Sequence, residues 1–188
     1  RPTGGWIAAG LPHVTWIEPF VMLVLLPVEP RLVWFGDARA MERSWLRRTT
    51  FRWLGGVVPI HPGGVLDAFD GHVAAVRAVV AAGAVFALFP ERGPAASPGH
   101  ARPIAPGIGY FGLRTGAPIV PIVFGGTHEL FRGRHIQMRI MPAVQATDLA
   151  AEASLSGAVL DERSAAHAVA AALHGMTAEA VADAHQAS

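Results

Sequence analysis

Along the chain, short apolar runs bounded by Gly and Pro alternate with longer stretches whose apolar positions recur at helical spacing. That is the pattern of a mostly parallel sheet flanked by helices. GWIAAG around Trp6, RLVWFG around Val33, VVPI around Val57, AVFALF around Phe86, APIVPIVF around Val120 and HIQMRI around Met138 read as strands. Pro19 suits the first turn of a helix running through Leu26, because the N–H that proline lacks would have no partner there. Asp67 to Ala82 carries apolar and polar faces at helical spacing and stops at Gly83. Arg163 to His174 and Thr177 to His185, both rich in Ala, read as two further helices. The fold class is therefore α/β, a mostly parallel mixed sheet with helices on its faces.

Arg92 to Pro106, RGPAASPGHARPIAP, breaks both periods and reads as a long loop directly after the strand at Phe86. In parallel α/β sheets ligands sit beyond the carboxyl ends of the strands, which is where this loop starts. GIGYFG, with Gly107, Gly109 and Gly112, spells a dinucleotide fingerprint, but no strand directly precedes it and no acidic residue follows at the required distance. It reads instead as a helix start whose glycines pack closely on the sheet.

With 188 residues, 52% hydrophobic and 15% charged, the chain can bury a core as one domain over 1–188, without metal or disulfide support. A net charge of +1 provides no broad basic field, which argues against nucleic acid as a partner. The absence of Cys excludes a thiol nucleophile and a thiolate metal site. The nine His residues form no HExxH pair and no other ligand spacing, so no metal is expected. All 15 cationic side chains are Arg. No apolar run reaches the roughly 20 residues that a membrane-crossing helix requires. The sequence opens on Arg1 rather than Met, which suggests a preceding segment where a targeting signal could lie.

Two strand ends carry the candidate chemistry: LPHVTWIEPF around His13 and ALFPERGP around Glu91. A His at a strand end and a carboxylate five positions later, at the mouth of a helix, can meet across one turn. Glu18 could then hold one ring nitrogen of His13 and aim the other outward, which makes a general base. No G-x-S-x-G elbow surrounds Ser97, so a serine nucleophile has no support. Glu91, read from its place alone, is a carboxylate able to cap the N–H groups of its own loop.

The order of these blocks resembles the lysophosphatidic acid acyltransferase family. His13 to Glu18, followed by Pro19 and Phe20, is similar to that family's NHxxxxD block, with Glu in place of Asp. GGVVPIHPGG is similar to its second block, with His61 where the family has Arg. FPERGP keeps Phe89, Pro90 and Glu91 of FPEGTRS, and APIVPIVFGG places Pro121 in the apolar strand of the fourth. The resemblance covers about residues 5–143 and leaves a helical tail at about 160–188. It implies a glycerol-3-phosphate acyltransferase-like fold and transfer of a fatty acyl group from acyl-CoA or acyl carrier protein to a hydroxyl of a lysophospholipid such as 1-acylglycerol-3-phosphate. His13 and Glu18 would be catalytic, and His61, Glu91, Arg92 and Arg102 would bind substrate. No cofactor is implied, because the acyl thioester is a substrate. The partners implied are a lysolipid, the thioester donor, a membrane surface at the cytoplasmic face and, as an alternative donor, acyl carrier protein.

The departures bear on the acceptor. The family places an Arg three positions after its Glu, and Pro94 stands there. Together with His61 this removes two parts of the usual phosphate site, leaving Arg92 or Arg102 to meet an anionic head group. A non-phosphate acceptor, or a silent lipid- or acyl-thioester-binding domain of the same fold, stays open. Arg43, Arg47, Arg48 and Arg52, interleaved with Trp45, Phe51 and Trp53, suit an interfacial helix, guanidinium groups on lipid phosphates and rings in the head-group layer. They equally suit a solvated face over core aromatics.

Overall fold

The computed structural model describes residues 4–15, 17–27, 29–37, 49, 56–60, 66–91, 99–128, 135–154 and 160–187. Six strands, β1 (Trp6–Leu11), β2 (Leu32–Asp37), β3 (Gly56–Ile60), β4 (Val85–Leu88), β5 (Ile119–Gly125) and β6 (Gln137–Ile140), form one sheet in the order β3-β2-β4-β1-β5-β6. Every pairing is parallel except β5 with β6. The strands fall where the apolar runs between Gly and Pro place them. The helices that the described residues define are α1 (Glu18–Leu25), α2 (Leu66–Ala81), α3 (Gly107–Thr115), α4 (Ala146–Ser154) and α5 (Glu162–Gln186).

β1 and β5 bury every residue, as continuous apolar strands do when both sheet faces are covered. Side chains alternate between the faces. Ile7, Ala9 and Leu11 join Phe86 and Val123 in a core closed by α2, α3, α4 and α5; Trp6 and Ala8 join Val85, Val120 and Phe124 under Met22 and Leu26 of α1 and its end. Among the described residues, four helices lie on one side of the sheet and short α1 on the other. Val24 and Leu25 on α1 are 79% and 54% exposed.

Two expectations change. The two Ala-rich carboxyl-terminal helices are one helix, α5, running through Gly175. Gly there costs about 1 kcal/mol relative to Ala, but Leu173, Thr177, Ala180 and Val181 are buried on either side of it and hold the helix continuous. The Thr177 hydroxyl also donates to the Leu173 carbonyl at 2.8 Å. The glycines of GIGYFG serve helix packing more than sheet packing: a side chain at Gly109 would collide with the Ala166 backbone of α5, while Gly112 faces Ala146 and Ile119. α4 fills part of the gap between β6 and α5.

Candidate active site

In the sheet, β1 lies between β4 and β5, with Ala9 beside Leu88 and Leu11 beside Val123. The chain leaving these three parallel strands thus emerges at one end of the sheet: His13 from β1, Phe89 to Glu91 from β4, and Thr127 from β5. This is the position at which open parallel sheets bind ligands.

Local sequence brings His13 to its carboxylate. Thr15 and Glu18 are spaced as T-x-x-E where α1 starts, and the Glu18 side chain reaches back to the Thr15 N–H, which is one half of a capping box. The Thr15 N–H donates to both Glu18 oxygens at 2.9 and 3.0 Å, and the Ile17 N–H donates to the Thr15 hydroxyl at 3.2 Å. That hydroxyl also lies 3.1 Å from Glu18 Oε1. Glu18 is fully buried, and its Oε2 stands 3.4 Å from His13 Nδ1. At that separation the contact is an ion pair once the ring is protonated, and longer than a good hydrogen bond. Nδ1 is itself buried, with no closer acceptor among the described residues.

Burial pushes the Glu18 carboxyl up, but the His13 ring beside it and hydrogen bonds from the Thr127 side chain and the Thr15 and Glu18 backbone N–H groups outweigh it and hold the group below its ordinary value. Glu18 is accordingly an anion behind the imidazole. Thr127 is itself only 2% exposed.

The imidazole rests on an aromatic shelf. Its ring stacks on Phe89 with centroids 4.5 Å apart, and Phe89 stacks on Trp34 at 5.9 Å. Gly10 makes room for this: a side-chain carbon there would collide with the Phe89 ring. Gly10→Ala should therefore push Phe89 off its position and destabilise the fold by about 1–3 kcal/mol through overpacking, read by denaturant unfolding. Wild-type stability in that variant would mean that Phe89 moves freely and defines no shelf.

Glu91, buried at the end of β4, accepts from two backbone donors, the His13 N–H at 2.6 Å and the Arg102 N–H at 2.8 Å. The capping role open to it from sequence describes these bonds, although one of the two donors comes from the His13 segment instead of its own loop. Of the six sequence-predicted site residues, the structure brings His13, Glu18 and Glu91 together and adds Arg102 through its backbone. His61 and Arg92 lie outside the described residues, as do Arg43, Arg47, Arg48 and Arg52 with their aromatic neighbours. Thr15 and Thr127 were not anticipated. The T-x-x-E spacing was a usable signal for Thr15; nothing local marks Thr127, which only the pairing of β5 with β1 brings near.

An apolar hollow of about 200 Å³, lined by Trp6, Leu26, Leu32, Val85, Val120 and Ile140 among others, lies at the opposite, amino end of the parallel strands. It has no titratable lining residue, so the chemistry is assigned to the His13 end.

The architecture is that of an α/β protein with a buried carboxylate and a half-exposed imidazole at the carboxyl ends of its central strands. Among solved structures, the chain is similar to the 1-acyl-sn-glycerophosphate (LPA) acyltransferase PlsC from Thermotoga maritima, with a TM-score of 0.60 and 14% identity over 96% of this chain and 68% of that one. A likeness at that identity establishes the fold. No family model matches the sequence, and no curated protein matches it.

Proposed function

We propose that the protein is an O-acyltransferase that moves a fatty acyl group from a thioester to a lysolipid hydroxyl. The observation that carries this reading is the buried, ionised Glu18 behind the His13 ring at the sheet end where ligands collect. With Nδ1–H toward the carboxylate, Nε2 holds the lone pair and takes the acceptor's hydroxyl proton. The freed oxygen attacks the thioester carbonyl, the tetrahedral adduct collapses, and the departing thiolate recovers the proton from the imidazolium. The products are an ester and a thiol. Because a thioester is already activated, positioning and one base supply most of the acceleration required. The fold shared with PlsC, which is named as an LPA acyltransferase, supports the reading. Arg102, with Arg92 and His61, is assigned to the acceptor's head group.

Purified protein incubated with labelled acyl-CoA or acyl carrier protein and a panel of phosphate-bearing and uncharged lysolipids tests it. Labelled ester supports transfer, and the preferred acceptor decides the head group. Binding of thioester or lysolipid without turnover of any pair would instead make this a silent binding domain.

A membrane surface is the assigned setting, supported by the outward Val24 and Leu25 on α1. Burying two such side chains in lipid contributes about 1.5–3 kcal/mol each. Replacing both by Ser should therefore lower vesicle co-sedimentation at least about tenfold. A further salt-sensitive preference for anionic vesicles is expected from Arg43, Arg47, Arg48 and Arg52. Unchanged binding of the double variant would remove α1 from the membrane contact.

A further inference from the structure

β1 ends at Leu11, so the His13 N–H has left the sheet and needs an acceptor elsewhere in a half-buried place. The Arg102 N–H, between Ala101 and Pro103, belongs to no helix or strand either. Glu91 satisfies both, one on each oxygen. The 99–105 segment is tied to the same strand end a second time, because the Ala105 N–H donates to the Pro90 carbonyl at 2.8 Å and Ile104 bridges to Glu91. A carboxylate bonded twice to backbone is fixed in place, and charge-assisted bonds of this length are strong. Moving it toward a substrate would strip the N–H of the base itself.

On this geometry we propose that Glu91 is a positioning residue for His13, a clamp that sets the height of the imidazole above the sheet and couples it to the 99–105 segment, rather than a ligand of the acceptor. The kinetic half of the inference rests on the acyltransferase reading; the structural half does not.

Glu91→Gln separates the two roles, since a carboxamide keeps the size but offers one acceptor oxygen where two donors converge. As a clamp, its loss should lower kcat at least about tenfold while acceptor KM stays within about twofold, and Glu91→Asp should recover only part of the rate. A tenfold rise in acceptor KM at unchanged kcat would overturn the proposal and make Glu91 an acceptor ligand. Amide hydrogen exchange needs no turnover. In the wild-type chain the His13 and Arg102 amides should exchange slowly despite lying outside the ladders, and in Glu91→Gln one of them should speed up at least about tenfold while Ala8 and Ala9 stay slow. Fast exchange of either amide in the wild type overturns the clamp, even if Glu91→Gln fails to fold. If the exchange result holds and no lysolipid is acylated, the clamp stands and the acyltransferase reading is what fails.

Discussion

Replacing His13 by Ala should lower acyl transfer by about two to four orders of magnitude, the usual contribution of a positioned general base, while leaving the protein folded. The asymmetry follows from where the ring lies. It is about one-third exposed, and its main packing contact is the stack on Phe89, worth about 0.5–1.5 kcal/mol. That stack is a modest share of the fold's stability, whereas Nε2 is the atom that the reaction needs. A base acts only while neutral, so wild-type turnover should fall toward acid pH, and the small residual rate of His13→Ala should not follow the same curve. Side-by-side thermal unfolding and initial rates across pH are sufficient. A folded His13→Ala with near-normal turnover would place the base elsewhere.

The parts of this molecule that were legible in its sequence are those where neighbours along the chain are also neighbours in space. The strands follow from apolar runs cut by Gly and Pro, most plainly β1 and β5, because a strand buried on both faces needs no partner's identity to look apolar. The spacing of His13 and Glu18 was equally readable, since one turn joins them. Elsewhere the determinants are tertiary. Gly175 reads as a break between two helices until the burial of Leu173 and Val181 on α5 is known. For Glu91 the sequence leaves open a cap on its own loop, but not that one of its two backbone donors is the His13 N–H, 78 residues away along the chain. Thr127 reaches Glu18 only because β5 pairs with β1 in this register.

Glu18→Gln should be the more informative of the two large-effect variants, because it keeps shape and removes charge. In the wild type the carboxylate accepts from the Thr15 N–H on both oxygens and from the Thr15 and Thr127 hydroxyls, with the His13 ring 3.4 Å away. A carboxamide must turn its NH2 toward one of them, leaving buried donors facing each other. Each unpaired group costs about 1–3 kcal/mol, so unfolding at neutral pH should be easier by about that amount. The pH dependence has a definite sign. Glu18 in the folded chain titrates below its ordinary value, so its carboxylate adds stability above the ordinary carboxylate range and loses it as pH falls through the depressed value. The stability gap between wild type and Glu18→Gln should therefore be widest near neutrality and close on acidification. Catalysis should suffer more than stability, since a neutral amide neither fixes the ring tautomer nor stabilises the imidazolium formed when His13 takes the proton. The expected result is a fall in kcat of about two orders of magnitude or more with KM little changed. Thr127→Val should move kcat the same way by a smaller amount, and Thr127→Ser, which restores the hydroxyl, should recover it. A raised KM at full kcat in Glu18→Gln would instead assign the carboxylate to the acceptor and leave His13 without its partner.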